Sequence, residues 1–198
     1  MFITFEGVDG SGKTTQARLL AERLRAEGRE VVTTREPGGT ELGERIRDLV
    51  LHGGDVSPWA EAALFAAARA QLVDDVIRPA LERGADVVCD RYIDSSLAYQ
   101  GVARGVGLDR VLELSLLATG GLLPDRTFVL LVPLDEAARR RGRARDRLER
   151  EDGGFVERVD GAYRELAAVF GRRVVTADGT RPPEEVADEI RGYLRDLS

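Results

Sequence analysis

Short runs of apolar and β-branched residues recur along the chain at about 2–6, 30–34, 86–90, 127–132 and 173–177. Between them, apolar residues return at the three-to-four spacing of a helix, over about 13–27, 41–51, 58–83, 94–101, 108–119, 134–150, 154–170 and 183–197. Strands alternating with helices of this length predict βαβ units and a parallel sheet. No internal repeat or low-complexity tract interrupts the pattern, and Pro37-Gly38-Gly39 is too short to be a linker. The expected architecture is one domain spanning residues 1–198: an α/β fold with a five-stranded parallel sheet flanked by helices. Its ligands should lie at the carboxyl ends of the strands.

Composition narrows the picture. With 198 residues, 43% of them hydrophobic and 32% charged, the chain can bury one sizeable core. A formal net charge of −6 argues against duplex nucleic acid as a general partner. Cys89 is the only cysteine, so neither a disulfide framework nor a cysteine-based metal site can be assembled. The start, Met1-Phe2-Ile3-Thr4-Phe5, lacks a basic leader, and no apolar run reaches the length of a membrane span. The expectation is a soluble cytoplasmic protein without nucleic-acid or membrane partners.

One segment carries specific chemistry. Gly7-Val8-Asp9-Gly10-Ser11-Gly12-Lys13-Thr14 has the spacing G-x-x-x-x-G-K-[ST] between a predicted strand and a predicted helix, the context a phosphate loop requires. Glycines let successive N–H groups turn inward, and the helix N-terminus favours anionic oxygens. Lys13 should reach the β- and γ-phosphates of a nucleotide, and the Thr14 hydroxyl should bind Mg²⁺. All but one of the 29 basic residues are arginine; the exception is Lys13. A compact ammonium is not freely exchanged for a guanidinium.

The loop by itself fixes only phosphate binding. A GTPase would read guanine through Asn-Lys-x-Asp, which a chain without asparagine and with its one lysine in the loop cannot supply. A kinase must instead bring a second anion to the γ-phosphate, and several cations must screen the repulsion. Arginines stand at three stations: Arg35 after the second strand, Arg91 after the third, and the segment 139–150, with seven arginines against Asp146 and Glu149. On a helix, Arg139, Arg143 and Arg147 share one face. A phosphate-monoester acceptor has a second pKa near 6, so no general base is needed, and the lone histidine, His52, is expected at the surface.

Together, Glu6-Gly7-Val8-Asp9-Gly10-Ser11-Gly12-Lys13-Thr14-Thr15, Thr34-Arg35-Glu36-Pro37-Gly38-Gly39-Thr40, Phe65 with Arg69, Asp90-Arg91-Tyr92 and Tyr99-Gln100-Gly101 resemble the thymidylate kinase family, in order and spacing, over residues 2 to about 170. The resemblance implies the fold of the P-loop nucleoside monophosphate kinases with a helical lid at about 136–154, ATP and Mg²⁺, dTMP as acceptor on the route to dTTP, and a homodimer. It assigns Gly7 to Thr15 to ATP, with Arg139 of the lid beside them. Arg35 and Arg91 would hold the acceptor phosphate and Pro37 would wall the pyrimidine methyl. Phe65 would stack on the base and Arg69 donate to a base carbonyl; Ser96 and Gln100 would reach its edge. Tyr99 would stand where a 2′-hydroxyl would protrude. Thr14 and Asp90 would hold the metal. Asp9, Lys13, Arg91, Arg143 and Arg147 would be catalytic.

The loop carries Gly10-Ser11 where some members of that family place an arginine, so the lid is expected to supply the catalytic arginines. Leu131 and Leu72 stand where aspartate and histidine are usual in the family.

Overall fold

In a computed structural model that describes residues 1–141 and 153–195, five parallel strands form one sheet in the order β2-β3-β1-β4-β5. The strands are β1 (Phe2–Glu6), β2 (Val31–Arg35), β3 (Asp86–Asp90), β4 (Arg126–Leu131) and β5 (Val174–Asp178). Each lies within a residue of its predicted position. Their side chains alternate between faces. Ile3, Phe5, Val88, Phe128 and Leu130 pack under α1 (Lys13–Ala26) and α9 (Pro183–Leu194), through Leu20, Leu24, Val186 and Ile190. On the opposite face Phe2, Val87 and Cys89 meet Leu72, Val73 and Ile77. Val129 there packs with Phe155 and Tyr163 of α8 (Gly153–Val169). Sheets covered on both sides require the near-continuous apolar strands that the sequence shows.

The remaining helices are α2 (Glu41–His52), α3 (Pro58–Leu72), α4 (Arg78–Glu82), α5 (Ile93–Ser96), α6 (Leu108–Thr119) and α7 (Leu134–Arg141). Two predicted helices prove more complex. The stretch 58–83 is interrupted by a widened π-helical turn at Val73–Ile77, before α4. Pro79 explains it: proline has no N–H and its ring crowds the carbonyl four residues back, so the turn before it widens and Arg78 N–H bonds back to Val73 instead. The stretch 94–101 continues from α5 into a second π-helical segment, Leu97–Ala103, which carries Tyr99 and Gln100. Of the expected lid, only residues up to Arg141 and from Gly153 onward are described. His52 is exposed, as expected. Among the described residues no helix is long and apolar enough to cross a membrane.

Candidate active site

The register pairs Phe5 with Asp90, so β1 and β3 end side by side and release their loops at the same edge of the sheet. From β1 the loop Gly7 to Gly12 leads into α1. Gly7 and Gly10 have φ of 131° and 87°, values that glycine alone adopts without strain. A Cβ at Gly7 would lie 2.6 Å from the Leu130 carbonyl oxygen, so β4 approaches too closely for any side chain. The backbone thus curls around the start of a helix of 14 residues, where N–H groups and the helix field converge.

Lys13 opens that helix nearly buried; its Nζ donates to the Val8 carbonyl at 2.9 Å and lies 3.4 Å from Asp9 Oδ1. Burial, and then the neighbouring Arg91, push the pKa of the amine down. Burial would push that of Asp9 up, but Arg91 and then Lys13 outweigh it and hold the carboxyl well below the usual range. Asp9 is therefore an anion between two cations at any pH near neutral.

Arg91 has φ of 72°, the one positive value for a non-glycine among the described residues. Such a conformation costs on the order of 1 kcal/mol or more and persists where surrounding contacts dictate it. Here Arg91 Nη2 donates to Asp9 at 2.5 Å and to Tyr99 Oη at 3.4 Å. Nη1 donates to Ser95 Oγ at 3.1 Å and Tyr163 Oη at 3.2 Å. The guanidinium also lies 5.2 Å from the centre of the Tyr99 ring, a cation–π contact.

Two cavities meet at these groups. The larger, about 610 Å³, runs over the loop from Asp9 to Gln16 and is bordered by Arg35, Asp90, Arg140, Gly179 and Arg181. The smaller, about 180 Å³, lies among Pro37, Leu51, Phe65, Arg69, Ser95, Tyr99 and Gln100. Asp9, Glu36, Arg47 and Arg91 line both. The smaller cavity lies below the roughly 300–1,000 Å³ of ordinary ligand sites and opens into the larger one beside Asp9 and Arg91.

Most residues expected at the site stand around these cavities. Gly10, Ser11, Gly12, Lys13, Thr14 and Thr15 face the larger one, whereas Val8 turns into the core. Arg35 borders the same cleft while paired to Glu44 at 3.0 Å. Phe65 walls the smaller cavity and also packs on Ile46, Val50 and Leu51. Gln100 lines it and donates to Glu61 at 2.9 Å.

Arg69 is more deeply set than its expected role suggests. It is 1% exposed and donates to Glu36 at 2.8 Å, Ser96 Oγ at 2.7 Å and Ser115 Oγ at 3.0 Å. Ser96 is thereby turned towards Arg69, and the serine that faces the cavity is Ser95. Arg139 is exposed and paired with Asp135 at 3.2 Å. Its neighbour Arg140 lines the cleft and donates to Gly179 at 2.8 Å. Arg143 and Arg147 lie outside the described residues.

Thr14 Oγ1 donates to Asp90 Oδ2 at 2.5 Å, beside the loop. Among the described residues, no group of three or more His, Cys, Asp or Glu is placed to hold a metal. Two oxygen donors at the mouth of a phosphate cleft fit Mg²⁺, which keeps several waters and takes further ligands from substrate phosphates.

A family model described as thymidylate kinase matches residues 5–190. The chain belongs to the thymidylate kinase family. Among curated relatives, the thymidylate kinase of Leifsonia xyli subsp. xyli is 54% identical over 98% of this chain and 94% of its own length. That of Synechococcus sp. (strain JA-2-3B'a(2-13)) is 52% identical over 96% and 92%. The crystal structure of thymidylate kinase from Ehrlichia chaffeensis superposes with a TM-score of 0.82 at 34% identity, covering 98% of both chains. The superposition with that thymidylate kinase agrees with the fold described above.

Proposed function

We propose that in this thymidylate kinase the larger cavity seats ATP and the smaller one dTMP, with their phosphates meeting at Arg91. The reaction is transfer of the ATP γ-phosphate to dTMP, giving dTDP on the route to dTTP. The observation that carries the reading of the site is the junction of the two cavities at Asp9 and Arg91, with Lys13 alongside.

The loop N–H groups and Lys13 bind the β- and γ-phosphates and stabilise charge that builds during transfer. Thr14 and Asp90 would hold Mg²⁺, which when bound would neutralise phosphate charge. Arg91, with Arg35 released from Glu44, grips the acceptor phosphate. That phosphate is already largely dianionic at neutral pH, so positioning suffices and no side chain need take a proton. Asp9 fixes Arg91 from the cavity side. Phe65, Pro37, Gln100 and Arg69 surround the base, and Tyr99 closes the sugar end. Arg140 joins the ATP site; Arg143 and Arg147, expected to be catalytic, lie outside the described residues.

Exposed Leu42 and Leu49 on α2, Trp59 on α3 and Leu117 on α6 offer an apolar surface on packed helices for the homodimer that the family resemblance implies; sedimentation would test it. The buried free thiol of Cys89 is in keeping with a reducing cytoplasm.

The site assignment is tested with Arg91→Lys, titrated separately with dTMP and ADP. Loss of the planar fork should weaken dTMP about tenfold or more and leave ADP within twofold. Equal losses for both ligands would overturn it.

A further inference from the structure

The strand that delivers the phosphate loop ends in Glu6, whose side chain is fully buried. None of the roles assigned above uses this carboxylate. Its Oε1 accepts from the backbone N–H groups of Tyr92 at 2.7 Å and Ser95 at 3.2 Å. Its Oε2 accepts from Ser95 Oγ at 2.5 Å and Tyr163 Oη at 2.9 Å. Those two hydroxyl oxygens are the partners of Arg91 Nη1.

A hydroxyl has one proton. When ionised Glu6 takes the protons of both Ser95 and Tyr163, both oxygens are left with lone pairs turned to the guanidinium. We infer that Glu6 is a positioning residue for Arg91, setting the direction of two hydroxyls that in turn hold the guanidinium where the acceptor phosphate arrives. This inference rests on the assignment of Arg91 to that phosphate.

A carboxylate present only to satisfy two N–H groups would be replaced without loss by glutamine. In Glu6→Gln the amide oxygen keeps the Tyr92 and Ser95 N–H bonds. Its NH₂ then faces both hydroxyls as a donor; one hydroxyl can turn its proton to the other across 3.0 Å, and the other is left with its proton towards Arg91, which itself only donates. Glutamine therefore separates the two roles at constant shape.

The charged and titratable groups around Glu6 are Asp94 of α5, Arg91 and Cys89 at the end of β3, Lys13 of α1, Arg69 of α3, Tyr99, Tyr163 of α8 and Arg173 before β5. Burial first, then Asp94, raises the pKa of Glu6 from 4.5 to about 7, against the opposing effect of Arg91. The ionised, positioning form is gained as pH rises through about 7.

Glu6→Gln, Tyr163→Phe and Arg91→Lys are compared in the full chain by steady-state kinetics with dTMP, ADP titration and thermal melting. Glu6→Gln should raise the KM for dTMP about tenfold, leave ADP affinity within twofold, and remove the rise in kcat/KM for dTMP near pH 7, leaving only the ionisation of dTMP near pH 6. Tyr163→Phe, which deletes one bridging hydroxyl, should shift the KM in the same direction by less. An unchanged KM in both variants, or parallel loss of dTMP affinity, ADP affinity and melting temperature in Glu6→Gln, overturns the inference. If Arg91→Lys itself keeps full dTMP affinity, the assignment of Arg91 fails and the inference with it.

Discussion

Replacing Arg69 by alanine should unfold the protein more readily as well as damage dTMP turnover. Its guanidinium sits at 1% exposure against Glu36 at 5%, and also holds Ser96 and Ser115. The single change leaves a buried carboxylate without its cation. Breaking a buried pair from one side costs about 3–5 kcal/mol. For a chain of 198 residues each kcal/mol lowers Tm by about 2–4 °C, so a fall of about 6–20 °C is expected. Removing both charges at once, Arg69→Met with Glu36→Gln, takes away the stranded ion and should recover most of that stability. Turnover should stay low in the double variant, because the wall of the smaller cavity has lost its donor. Urea denaturation followed by circular dichroism, alongside dTMP kinetics, measures both quantities. A loss of less than about 1 kcal/mol in Arg69→Ala would refute the reasoning, since the ion pair would then contribute no more than an exposed one.

Other outcomes follow from the same geometry. Lys13→Met keeps the side-chain stem and removes the charge; kcat should fall about 10²–10³-fold in an ADP-release assay at saturating substrates. Gly7→Ala places a Cβ 2.6 Å from the Leu130 carbonyl at φ of 131°, and should abolish ATP binding in titration while lowering stability. Arg140→Ala should raise the KM for ATP several-fold and leave that for dTMP unchanged, because Arg140 lines only the larger cavity. Glu6 also makes a stability prediction. Its folded pKa of about 7 lies above the ordinary 4.5, so its contribution to stability is full below about 4.5 and lost as pH rises through about 7. Melting temperature should therefore fall across that window in the parent and fall less in Glu6→Gln.

Local rules made much of this molecule readable. The alternation of apolar runs and helical periods places all five strands, because parallel strands buried on both faces have little freedom in composition. The loop Gly7 to Thr14 is legible because phosphate binding prescribes its spacing. Partnerships across the fold were not. Arg69 meets Glu36 from 33 positions away, and no periodicity in the chain links them. Ser96 on α5 is engaged by the buried Arg69, and the cavity receives Ser95 instead. In the arginine run Arg140, rather than Arg139, lines the cleft, and Arg143 and Arg147 lie outside the described residues. Arg47 belongs to no motif and is identified only by lining both cavities. Glu6 ends an apolar strand, and nothing in its neighbourhood along the chain signals that it faces two hydroxyls from α5 and α8.

The claim at the centre is that two adjoining cavities pass a phosphate from ATP to dTMP. A coupled ADP-release assay with dTMP, dUMP, dCMP, AMP and GMP as acceptors measures it directly. The highest kcat/KM should belong to dTMP, with the purine nucleotides far below it. Faster turnover of AMP, GMP or dCMP than of dTMP would contradict it.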